Sequence, residues 1–164
     1  MRPVTTRTTR VHWMGVGAGL TVVYGTATLV TAPLLWYWMS RQDDLGGPFQ
    51  LLIAFASSVF GRVSYSAALA VGVIAGAYAA MTYSRSDTIV TGVVVGGVVS
   101  AIKIALAVPL LLGLQRAGSL VDIALSVALV FFAYLGALLG RRRTAAWQRE
   151  CDALDSWRRR SPNP

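Results

Sequence analysis

The residues of this chain that could do chemistry are few, and most stand alone. There is one cysteine, Cys151, one histidine, His12, one glutamate, Glu150, and one lysine, Lys103. A structural zinc site of four cysteines, or of two cysteines and two histidines, needs more ligands than one chain supplies. A haem held between two histidines of one subunit is excluded by the same count, as is an internal disulfide. The serines lack a neighbouring base in any recognisable nucleophile motif. Asp43-Asp44 could bind a cation but reads as a solvated turn, and Asp122, at an edge, is the only acid within an expected span. Acid–base catalysis within a membrane needs paired carboxylates, a Ser–Lys or Ser–His dyad, or metal ligands. The sequence has no paired carboxylates within a span and no recognisable motif of these kinds, which points away from an enzyme and predicts no metal and no cofactor. Proton or sodium coupling through a buried carboxylate is disfavoured for the same reason.

Lys103 is the remaining candidate. It lies deep in an apolar run, where a cation costs roughly 2.5–3.5 kcal/mol on insertion scales. It should therefore face neighbouring helices or a wet cavity. The functional reading is a site for an anion or a polar headgroup. The structural reading is a lysine satisfied by hydroxyls and carbonyls, or by a partner subunit's acid. Thr21, Tyr24, Thr26, Ser100 and Tyr134 are the expected hydrogen-bonding partners, with Asp122 too near the other end of its helix to pair directly.

The surrounding composition explains why such a residue is costly. Of 164 residues, 55% are hydrophobic and 13% charged, where a soluble domain would carry about a quarter charged. The charges also avoid four long stretches. About 20 apolar residues in a helix cross a hydrocarbon core about 30 Å thick. Spans are expected over 14–38, 64–83, 88–112 and 121–140. The arginines at 2, 7 and 10 resemble the start of a signal peptide, but the apolar run that follows is too long for one.

Residues 49–83 are apolar throughout and would make a helix of about 52 Å, too long for one span. Gly61-Arg62 marks the expected joint, with a short interfacial or re-entrant helix over 49–60. A single long tilted helix is the alternative. The weak match of Pro33-Leu34-Leu35 to Pro109-Leu110-Leu111 suggests a duplicated helix pair or chance.

Orientation follows the basic residues. Arg2, Arg7, Arg10, Arg85 and the arginines after Gly140 fall on one side. Arg41 and Arg116 fall on the other, with Arg62 if the joint is placed as above. The richer side is the cytoplasm. The expected organisation is a cytoplasmic basic tail over 1–12, a four-span membrane domain over 13–140, and a cytoplasmic tail over 141–164. In the last, Trp147, Cys151 and Leu154 recur at helical spacing, as expected of an amphipathic helix on the inner leaflet. The net charge of +8 is explained by topology and anionic headgroups, with no nucleic-acid motif present. The use of arginine for 14 of 15 basic residues hints at a high-GC prokaryotic genome.

Each span carries a Gly-x-x-x-Gly pair: Gly15 and Gly19, Gly72 and Gly76, Gly92 and Gly96, Gly136 and Gly140. Residues four apart share a helix face and let a neighbouring backbone approach. All four pairs fall in the middle or cytoplasmic half, so the helices should pinch there and splay outside.

The fold expected is all-α: an integral membrane four-helix bundle with the short helix after span one and an amphipathic C-terminal helix, in the cell membrane with both termini cytoplasmic. The function expected is a structural or accessory subunit acting by helix–helix association, with a second copy or another membrane subunit as partner. The other reading is a small transport element or pore for an anion or lipid headgroup organised around Lys103, holin-like assemblies included.

Overall fold

The computed structural model describes the backbone of residues 11–41, 47–84, 89–113 and 116–160, and their side chains except at 48, 106–113, 116–122 and 158–160. Asp43-Asp44, the N-terminal arginines, Arg85 and the Asp122 side chain lie outside the described residues. Among those described there are five helices and no strand: α1 Trp13–Met39, α2 Pro48–Ser57, α3 Val59–Ser84, α4 Val90–Gly113 and α5 Arg116–Arg160. α1, α3 and the Ile123–Trp157 part of α5 are each long and apolar enough to cross a membrane. The described apolar part of α4, Val90–Ala105, is shorter.

The long helices alternate in direction. Gly15 lies beside Ala80 and Ser84, and Gly72 beside Val23, so α3 runs antiparallel to α1. Gly92 meets Ala137 and Gly96 meets Ala133, so α5 runs antiparallel to α4. α1 and α4 start at the same end, where the His12 backbone N–H donates to Thr91 Oγ1 at 3.4 Å. α3 and α4 each touch both α1 and α5, while α1 and α5 do not meet among the described residues. The end holding Trp13, Ser84, Thr91 and Gly140 also carries Arg141–Arg143 and is called the basic end below.

Size is sorted inside out. The interior is built from small side chains such as Val16, Val23, Ala68, Val73, Ala77, Ala80, Val95 and Ala133. Larger apolar residues point outward: Leu29 is 77% exposed, Val127 62% and Phe131 61%. In water such a surface would be an association liability. In lipid it is the ordinary arrangement, because small residues let helices approach while the solvent accepts the large ones.

Besides the start of α5 at Arg116 rather than 121, two boundaries differ from those expected. The joint after α2 falls at Ser58, not at Gly61-Arg62. Ser58 has extended ψ of 151° and ends α2, its N–H donating to the Ala54 and Phe55 carbonyls. Its Oγ then accepts from the Gly61 N–H at 2.9 Å. A serine oxygen bonded to the third helical N–H is an N-cap, so one residue closes α2 and opens α3. Gly61 is required there because a Cβ would run into the Phe55 carbonyl. Phe55, 6% exposed, fills the corner between Trp38 and Phe60, with ring centroids 5.6 and 6.2 Å away.

The second difference is at Arg141–Arg143. α5 continues through this cluster without a break to Arg160, 45 residues in all, so the C-terminal helix is an extension of the same rod. Arginine ends an apolar run but not a helix. Ala145, Ala146, Gln148 and Glu150 are good helix formers, and no glycine or proline intervenes.

Candidate functional site

The eight paired glycines are all buried against neighbouring helices. A Cβ on Gly19 would lie 2.8 Å from the Gly76 carbonyl oxygen, and one on Gly76 would lie 2.5 Å from that of Gly19. Each glycine thus makes room for the other's backbone, and α1 and α3 touch main chain to main chain. Gly15 and Gly72 extend the seam to Ala80 and Val23. Gly92 and Gly96 receive Ala137 and Ala133 of α5, while Gly136 and Gly140 receive Ile74 and Met81 of α3. The pairs therefore bind this chain's helices to one another. The glycines without such neighbours are others: at Gly17 and Gly25 of α1 and Gly97 of α4, no described atom lies within 4 Å of a Cβ position.

His12, the single histidine, caps α1. Its Nδ1 accepts from the Gly15 N–H at 3.1 Å. With the His12–Thr91 bond this ties the start of α1 to α4. Cys151 lies half-buried on the extension of α5. Among the described residues no group of three or more His, Cys, Asp or Glu side chains could hold a metal.

Lys103 is half-buried and lines a cleft of about 310 Å3 formed by α3, α4 and α5. Val63, Ala67 and Ala70 form one wall, and Leu125, Leu129 and Phe132 the other. Its Nζ donates to Ser66 Oγ at 3.4 Å. This partner is not among those the sequence suggested. Ser100, one turn earlier, is used elsewhere, its Oγ donating to the Ser126 carbonyl at 2.6 Å. Thr21 donates to its own helix at Gly17, and no described residue of α1 lines the cleft. Arg62, exposed and one turn before Ser66 on α3, sits on the same helix face.

The Ser100–Ser126 bond also fixes the register of α4 against α5. The cleft is thus an apolar recess away from the basic end, with a cation and a hydroxyl at its wall. Such a wall suits an acyl chain with an anionic head better than a small hydrated ion, which needs more donors than the described lining offers.

At the basic end, sequence reasoning missed a link between α5 and α3. Arg143 Nη1 donates to the Tyr78 hydroxyl at 2.9 Å. No signal in either span alone pairs residues 65 positions apart.

No family model, no curated protein and no solved structure matches the chain, so its function is argued from these residues alone.

Proposed function

We propose that this is a four-helix bundle inserted in the cell membrane, with both termini cytoplasmic, that serves as an accessory subunit through helix–helix association. The alternating directions of α1, α3, α4 and α5 suit four crossings. The concentration of arginine at one end suits a cytoplasmic face there. Fusions of a compartment-sensitive reporter to each terminus should both report cytoplasm, and opposite reports would refute the topology.

The observation carrying the association reading is the outer face of α1. Gly17, Thr21, Gly25 and Thr28 all lie exposed on it. Thr21 and Thr28 fold their hydroxyls back onto the Gly17 and Tyr24 carbonyls, at 3.1 and 2.8 Å. What faces outward is a flat strip of small groups with its polar atoms already satisfied, the kind of surface on which membrane helices pack closely. The partner is a second copy of the chain or another membrane subunit.

The test uses the Cys151→Ser protein with a photo-crosslinker on a cysteine placed at Thr21. A discrete adduct is expected in native membranes, and Gly25→Leu should abolish it without unfolding the protein, since a side chain there meets open space. An adduct unchanged by Gly25→Leu, or none at all, would refute this face as the contact.

The cleft at Lys103 favours a second reading, a conduit for an anionic amphiphile. It rests on the pairing of an apolar recess with a cation and the Ser66 hydroxyl.

A further inference from the structure

A second cavity, of about 230 Å3, opens at the basic end between α3 and α5 and is lined by Thr82, Arg143, Thr144 and Trp147. Its polar groups are unevenly committed. Thr82 Oγ1 donates to the Tyr78 and Ala79 carbonyls at 3.1 and 3.0 Å, and Thr144 Oγ1 to the Gly140 carbonyl at 3.0 Å. Both hydroxyls thus spend their protons on their own helices and offer the cavity methyls and acceptor oxygens.

Donors come from Arg143, whose guanidinium carries five N–H groups. The bond to the Tyr78 hydroxyl at 2.9 Å steadies the fork across the gap between helices. Arg141 and Arg142, both exposed, immediately precede it. Because α5 does not break at this point, Gly140 packed on Met81 and Tyr78 fixes where Arg143, Thr144 and Trp147 stand relative to α3.

We propose that this cavity seats the phosphate of an anionic phospholipid from the adjoining leaflet. Arg143 clamps the phosphate oxygens, Arg141 and Arg142 add field, and the threonine methyls and the Trp147 indole meet the glycerol and upper acyl region. Three features favour a lipid over soluble phosphate. Among the described residues the lining is an indole and two methyls beside a single cation, whereas a free phosphate calls for several converging donors. Indole rings settle at headgroup level. Basic pockets between membrane helices on the cytoplasmic side are suited to anionic headgroups. The assignment depends on the chain lying in a bilayer and is independent of the α1 face.

The test places the full chain in nanodiscs of phosphatidylcholine with phosphatidylglycerol. Trp13, Trp36, Trp38 and Trp157 are replaced by Phe, so that Trp147 alone fluoresces. Brominated phosphatidylglycerol should quench Trp147 with an apparent preference of about five-fold or more over brominated phosphatidylcholine. Arg143→Gln should reduce that preference at least several-fold. Arg143→Lys should keep part of it, a point charge replacing a fork. Arg149→Gln should leave it intact, because Arg149 lies farther along α5 with Nε on the Ala145 carbonyl at 3.2 Å.

Equal quenching by the two lipids in the parent protein would overturn the site. An equal loss with Arg149→Gln would reduce it to general attraction by a basic tail, which also overturns it. Displacement by inorganic phosphate at matched ionic strength would reassign the cavity to a soluble ligand and refute the lipid.

Discussion

Gly76→Val should lower the melting temperature of the detergent-solubilised protein by about 10 °C, corresponding to about 3 kcal/mol or more. The added Cβ would lie 2.5 Å from the Gly19 carbonyl oxygen, which is main chain and cannot rotate aside. Relief requires α1 and α3 to move apart along their shared seam. That also shifts Gly19 against α4, where a Cβ on Gly19 would lie 2.8 Å from Val95 Cγ2. Overpacking of a side-chain core costs typically 1–3 kcal/mol because neighbours can shift rotamers. A backbone-to-backbone seam lacks that relief. Gly25→Val is the control: it adds the same side chain to a helix glycine facing open space, and should change stability by no more than about 0.5 kcal/mol. Equal melting of the two variants would show that the paired glycines do not hold the helices together.

The other large effect is expected at Lys103. A lysine near the middle of a span costs roughly 2.5–3.5 kcal/mol on insertion scales, where leucine is favourable by a few tenths. Lys103→Leu removes that cost and forfeits the Ser66 contact, a hydrogen bond worth about 0.5–1.5 kcal/mol. Insertion of α4 should therefore improve by about 2 kcal/mol, read as the inserted fraction in a glycosylation-mapping assay on α4. On the accessory-subunit reading, the Thr21 adduct persists at unchanged yield. On the conduit reading, flux of an anionic amphiphile through liposomes falls to background while the protein stays folded. A variant that inserts less well than the parent would contradict the insertion argument itself.

The helical class was legible because long apolar runs with few breakers leave the backbone no partner in lipid except itself. The joint between α2 and α3 was misplaced because Gly61 and Arg62 signal a break more loudly than Ser58 does. The serine's role depends on its Oγ meeting the Gly61 N–H, and the glycine serves that corner by clearing Phe55. The end of α5 was misplaced for another reason: Arg141–Arg143 marks where hydropathy falls, and hydropathy sets a membrane boundary without setting a helix terminus. Lys103 stood out because its cost is a property of one residue. The partnerships of Ser66 with Lys103 and of Tyr78 with Arg143 depend on register between helices, which no single span encodes.

The unbroken α5 has an electrostatic consequence. Its 45 residues make a rod of about 67 Å. If it keeps the direction of the packed helices beyond Gly140, positions 158–160 stand about 28 Å past that glycine. At physiological salt the screening length is about 8 Å, so the three arginines at the tip are about two such lengths beyond Trp147 and the headgroup level it marks. Their charge is then addressed to the aqueous compartment, where an acidic partner would meet it before the lipid surface could.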